Sequence, residues 1–147
     1  MNGDAPDLTP LLLAVFRANG ALLDAGDALV WEVGLTSARW QVLGALDGLG
    51  EPATVSQVAR AMGLTRQSVQ RVADDLAKAG LVKGLPNPEH ARAKLIVMTS
   101  TGRAAFEDAA RRQKPWVTAL AQGLAADDVA AAQRVLSAII HRLAAGA

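Results

Sequence analysis

The stretch Thr54-Val55-Ser56-Gln57-Val58-Ala59-Arg60-Ala61-Met62-Gly63-Leu64-Thr65-Arg66-Gln67-Ser68-Val69-Gln70-Arg71-Val72-Ala73-Asp74-Asp75-Leu76-Ala77-Lys78-Ala79-Gly80 decides the fold. Thr54 followed three residues later by Gln57 is a capping box, in which each side chain satisfies a backbone N–H at a helix start. Val55, Val58, Ala59 and Met62 follow at helical spacing, and Gly63 supplies a left-handed stop. Thr65 restarts the chain as an N-cap. Val69, Val72, Ala73 and Leu76 then make one apolar face, while Arg66, Gln67, Gln70, Arg71, Asp74 and Lys78 take the other sides. Gly80 ends the second helix. Two short helices joined at Gly63-Leu64, the second polar outward, predict a helix-turn-helix.

Downstream, Leu81–Leu85 and Lys94–Thr99 are strand-prone. Between them Pro86 and Pro88 forbid a continuous strand or helix over 86–92. Strand, basic loop and strand after a helix-turn-helix predict a β-wing. The charge agrees. The whole chain of 147 residues carries only +1, yet the segment from Arg60 to Arg103 holds eight basic and three acidic residues. A basic segment between acidic flanks is a localised footprint for a nucleic acid.

Upstream, Thr36 or Ser37 can cap a helix in which Trp40, Leu43, Leu46 and Leu49 share a face, ended by Gly48, Gly50 and Pro52. Residues 8–33 read as one helix with possible breaks at Gly20 and Gly26, apolar on more than one side through Leu12, Val15, Phe16 and Leu22. Such a surface needs cover, and a second copy of the chain is the natural candidate. Towards the C-terminus, Thr99 or Thr101 caps a helix that Pro115 is expected to kink or restart. Asp127 is expected to cap a last helix carrying Val129, Val135, Leu136, Ile139, Ile140 and Leu143. The fold class is therefore mainly α with a small β-wing. The expected division is an N-terminal helix over 1–34, a winged lobe over 35–100 and C-terminal helices over 101–147.

Composition excludes several functions. No Cys is present, which removes disulfides, thiol catalysis and cysteine zinc sites. No Ser/His/Asp constellation, phosphate-binding glycine loop or metal-ligand spacing is found, so neither enzyme nor cofactor is expected. His90 and His141 have no ligating companions, and Asp127-Asp128 read as a helix start rather than an acid/base pair. The N-terminus MNGDAPDLTP lacks a basic region followed by an apolar run, and no stretch reaches the ~18 apolar residues of a membrane span. The expectation is a cytoplasmic protein.

The stretches LTSARWQVLGAL (35–46), TVSQVARAMGLTRQSVQRVADDLAKAGLV (54–82) and NPEHARAKLIVMTSTGRA (87–104) resemble the multiple antibiotic resistance regulator (MarR) family of bacterial transcription factors. The likeness extends over nearly the whole chain. It implies a homodimer whose interlocked end helices, over 1–34 and 101–147, are the dimerisation segments and carry two winged lobes. In many members it implies a repressor released by small aromatic or phenolic ligands. Thiol sensing, known in other members, is closed to a Cys-free chain. The sequence departs from the family in the wing. His90-Ala91-Arg92 stands where Asp-Arg-Arg is usual, so an orienting carboxylate is missing, and Gly84 stands where arginine is common.

The DNA-binding residues expected are Thr65, Arg66, Gln67, Ser68, Gln70 and Arg71 on the recognition helix, with His90, Arg92 and Lys94 on the wing. The helix N-terminus offers free N–H groups and a positive dipole end to a phosphate. Arg pairs with guanine and Gln with adenine in the major groove. Arg92 suits a narrowed minor groove. Lys83 and Lys94 suit phosphates, although Lys83 is equally a solvated strand residue. A two-fold dimer would read a pseudo-palindromic operator. Trp31, Arg39 and Trp40 are the candidates for a small-molecule effector site, against the reading that the tryptophans fill core and Arg39 makes a surface ion pair. The functional expectation is a dimeric DNA-binding regulator, a repressor with a small effector. The alternative is a winged-helix protein-interaction module that has lost DNA binding.

Overall fold

Local capping sets the element order. The computed structural model describes residues 4–146. Residues 1–3 and 147, the extremes of the two outer segments read from the sequence, lie outside the described residues. Helix α1 runs Thr9–Val30 and passes into a 3-10 turn at Trp31–Val33. It is unbroken at Gly20 and Gly26. Gly26 instead lets α2 approach, since a methyl there would collide with the Ser37 hydroxyl. Ser37 is buried, donates its hydroxyl to the Leu23 carbonyl at 2.8 Å, and donates its N–H to Asp27 at 2.6 Å. Thr36, not Ser37, caps helix α2 (Ser37–Leu49) by accepting the Arg39 N–H.

The winged lobe follows. Strand β1 (Ala53–Thr54) leads into α3 (Val55–Met62), α4 (Arg66–Lys78), β2 (Val82–Leu85) and β3 (Leu95–Met98). The capping box forms as the sequence predicts, with Thr54 accepting from Gln57 N–H and Gln57 accepting from Thr54 N–H at 2.8 Å. Gly63 and Gly80 both take positive φ, where an L side chain would be strained. The sheet is antiparallel in the order β1-β3-β2, with Ala53 opposite Ile96 and Val82 opposite Met98. The chain is thus mainly helical with a small three-stranded sheet forming a winged helix. Strand β1 was not anticipated: two residues cannot show alternation, and the capping box masks them as a helix entry.

The core of the lobe gathers Val42, Leu43, Leu46, Val58, Val69 and Leu76, with Val30 joining from α1. The expected α2 stripe needs one correction. Leu43 and Leu46 are buried and Trp40 half-buried, but Leu49 is exposed in the last turn and Val42 takes its place in the core. From α5 (Ser100–Leu120), Ala109 packs into this core and Phe106 against it.

The chain divides into two compact units, one ending at Gln113 and one starting at Lys114. In the second unit, α5 continues through Pro115 to Leu120, so the expected interruption is absent. A proline forfeits one i→i−4 bond, and the surrounding turns hold this helix regardless. Thr99 makes the start of α5, accepting the Gly102 N–H at 3.0 Å. Helix α6 (Ala126–Ala144) has Ala125 at its N-cap without a side-chain bond, and Asp127 and Asp128 sit inside the first turn. They favour the helix by charge against its dipole rather than by capping.

Candidate nucleic-acid interface

The N-terminus of α4 is built by its own hydroxyls. Thr65 accepts the Ser68 N–H at 3.2 Å and donates to Ser68 Oγ at 3.1 Å, while Ser68 donates to the Thr65 carbonyl at 2.9 Å. Both hydroxyl protons are therefore spent within the cap. The first-turn N–H groups of Arg66 and Gln67 have no acceptor in the helix and point out of its end.

Three faces of α4 do different things. Val69, Val72, Ala73 and Leu76 face the core. Arg66, Gln70, Asp74 and Ala77 line a cleft of about 350 Å³ between α4 and the wing, where Arg92 and Lys94 form the other wall. Gln67 and Arg71, four residues apart and exposed, lie on the face opposite the core. Ser68 turns away from the cleft towards a third region described below.

Arg66 also borders a second, open cleft of about 720 Å³ that it shares with Ser56, Gln57, Arg60 and His90. The structure thus brings Arg66, Gln70, Arg92 and Lys94 together, and joins His90 to Arg66 on the neighbouring side. Ser56 and Arg60 of α3 were not singled out from the sequence. The signal was available, because the capping box fixes Ser56 in the first exposed turn of α3.

The cations of this surface are uncommitted. Among the described residues, Arg66, Arg71, Arg92 and Lys94 make no ion pair within 4.0 Å. The α5 arginines contrast with them. Arg103 bonds Asp47 at 2.7 Å and also Glu51, and Arg112 bonds Glu32 at 3.0 Å. The hydrogen bond to Asp47, and then that to Glu51, holds the Arg103 guanidinium above the ordinary arginine range against partial desolvation. Glu51 in turn accepts the Met98 N–H at 2.7 Å, tying the end of β3 to the end of α2.

The wing loop has an internal clamp. Asn87 is half-buried, donates its amide to the Ala93 carbonyl at 2.9 Å, and accepts the Glu89 N–H at 3.1 Å. It spans the loop that carries His90 and Arg92. A neutral side chain thereby orders the loop in which the usual carboxylate is missing.

Trp31, Arg39 and Trp40 do not line either cleft beside α4. Trp31 is 68% exposed on the 3-10 turn, and Trp40 is half-buried against the core. Arg39 is half-buried at the start of α2. A separate, largely apolar cavity of about 300 Å³ lies among α1, α2 and the α3–α4 turn. Leu23, Val42, Leu64 and Val72 supply its apolar wall, and Asn19, Gln41 and Ser68 its polar groups. Its α2 wall is Ala38, Gln41 and Val42 rather than Arg39 or Trp40. Among the described residues no group of three or more metal-ligating side chains occurs, and no helix is long and apolar enough to cross a membrane.

A capped recognition helix beside a β-wing, with free cations on both, defines a winged-helix protein. Residues 33–93 match the family model described as the MarR family. An uncharacterized protein of Mycobacterium tuberculosis is 39% identical over 101 residues, which is 69% of each chain. The transcriptional activatory protein BadR of Rhodopseudomonas palustris is 28% identical over 99 residues, covering 66% of this chain and 57% of BadR. Among solved structures, a mutant E. coli MarR complexed with operator DNA superimposes with a TM-score of 0.81 at 22% identity, covering 90% of this chain and 95% of that one. The chain belongs to the MarR family, whose fold is that of transcription regulators.

Proposed function

We propose that the chain is a homodimeric, sequence-specific DNA-binding repressor, acting in the cytoplasm without catalysis and released by a small aromatic ligand. The observation that carries the DNA reading is the set of unpaired cations on α4 and the wing, in a chain whose α5 arginines are all paired. Arg66, Gln67, Gln70 and Arg71 would meet base edges, while Arg92, Lys94 and His90 would follow the backbone and minor groove. Thr65 and Ser68 would act by presenting N–H groups to a phosphate, since their hydroxyl protons are spent in the cap.

Two apolar surfaces support the dimer. On α1, Phe16 is 74% exposed beside Leu13 and Leu22, and on α6 Ile140 and Leu143 are each 67% exposed. Exposed side chains of this size, on more than one side of α1 and along α6, call for a partner. The cavity between α1 and α4 supports the ligand reading, because its volume suits a small aromatic molecule and Ser68, Val69 and Val72 of the recognition helix form part of its wall. Trp31, Arg39 and Trp40 are the second candidate seat.

Titrating a fluorescent duplex complex with a panel of small aromatic acids tests the release. At least one compound lowers DNA affinity tenfold or more; quenching lost in Trp40→Phe but kept in Trp31→Phe assigns it to the second seat, and release that neither variant alters assigns it to the cavity. A panel that leaves affinity unmoved overturns the ligand part alone. The Asn87 clamp makes a further expectation. Asn87→Ala loses both hydrogen bonds of the clamp, about 1 kcal/mol or more of loop order, so affinity falls about fivefold or more on every DNA sequence alike. Anisotropy on specific and random duplexes checks it.

A further inference from the structure

Asp74 is the one carboxylate in the cleft that also holds Arg66, Arg92 and Lys94. It is exposed, and among the described residues no cation lies within 4.0 Å of it. On a surface meant for phosphates an unpaired negative charge weakens binding. Its structural commitment is to Gln70, whose Nε2 donates to Asp74 Oδ1 at 2.9 Å, one helical turn away. A carboxylate only accepts, so the amide nitrogen of Gln70 must face it and the carbonyl oxygen is turned away. An isolated glutamine is free to flip and offer either end to a base, whereas the bond to Asp74 biases this one to keep its nitrogen on the carboxylate.

We propose that Asp74 is a positioning residue that fixes Gln70 as an acceptor, so that the pair selects, at one position of each half-site, a base carrying an exocyclic amine in the major groove. Adenine (N6) and cytosine (N4) offer that donor, whereas guanine (O6) and thymine (O4) offer only acceptors there. The unbonded second oxygen of Asp74 adds acceptor capacity and repels the keto bases further. Both adenine and cytosine satisfy the shared chemistry. Adenine is preferred where the remaining Gln70 N–H also reaches N7, and cytosine where it does not.

The inference rests on the DNA-reading function above. It is tested by selecting bound duplexes from a random pool with the wild-type chain, Asp74→Asn and Gln70→Ala, followed by affinities for the four base variants at each position. The wild type shows one position per half-site where adenine or cytosine is favoured over guanine and thymine by about tenfold or more. Asp74→Asn, whose amide can donate as well as accept, flattens that position to within about twofold while overall affinity holds or rises. Gln70→Ala flattens the same position, and the double variant adds nothing further. A merely structural Asp74 would lower all affinities together and leave the preference intact. Retention of the position in Asp74→Asn, or loss of different positions in the two variants, overturns the proposal while leaving the regulator reading standing. A wild-type selection that enriches no sequence overturns the regulator reading itself, and this inference with it.

Discussion

Replacing Arg66 and Arg71 together by alanine lowers affinity for the preferred DNA site by about thirtyfold or more. The two side chains leave α4 in different directions, Arg66 towards the wing cleft and Arg71 on the face opposite the core. Each contact to a base edge contributes on the order of 1–3 kcal/mol of discrimination. They share no partner, so the losses add to about 2–6 kcal/mol. Neither side chain is buried or ion-paired, so the thermal midpoint stays within a few degrees of wild type. Anisotropy titrations separate the effects. Specific duplexes lose most of their affinity, and random duplexes lose only the part due to charge. Arg92→Ala gives a weaker loss, because the wing contact reads groove shape rather than a base edge. Equal affinity of the double variant and wild type for the specific duplex would favour the protein-interaction reading.

Gly102→Ala lowers stability by about 3 kcal/mol, at the upper end of overpacking costs, because the clash is with backbone rather than a flexible side chain. A methyl at Gly102 would overlap the Leu81 carbonyl oxygen. That carbonyl already accepts the Thr99 N–H at 3.1 Å. Thr99 in turn donates its hydroxyl to the Gly80 carbonyl at 2.6 Å and accepts the Gly102 N–H. The end of α4, the entry to β2 and the first turn of α5 are held at one point, and the methyl forces them apart. For a chain of this size the midpoint falls by roughly 10 °C. Gly48→Ala is the control. Nothing lies within 4 Å of its added methyl, and the helix gains about 0.5–1 kcal/mol. Differential scanning calorimetry of both variants checks the pair. A Gly102→Ala midpoint equal to wild type would show that the close approach is not a constraint.

The parts legible in the sequence were those written in local chemistry. The Thr54–Gln57 box, the left-handed Gly63 and Gly80, the Thr65 cap and the two prolines of the wing each fix a backbone within a few residues. The features that were not legible depend on distant partners or on too few residues. Strand β1 is defined by its pairing with Leu95 and Ile96, more than 40 positions away. Ser37 was expected as an alternative cap, and its burial against Asp27 and Leu23 depends on α1 lying across α2. Pro115 breaks an isolated helix but not α5, and Asp127 sits within α6 rather than before it. In the candidate site, the residue types were evident and their grouping was not. The helical wheel alone does not tell which side of α4 the wing covers. That placement puts Gln70 in the wing cleft and Gln67 outside it.

Affinity for a selected pseudo-palindromic duplex, measured against a random duplex over a range of salt, tests the central claim most directly. With six or so phosphates neutralised per site, the slope of log affinity against log salt is about −5. The selected duplex is bound about a thousandfold or more above random DNA at moderate salt. A flat salt response together with equal affinity for the two duplexes would contradict the account, leaving α4 and the wing as a winged surface for some other partner.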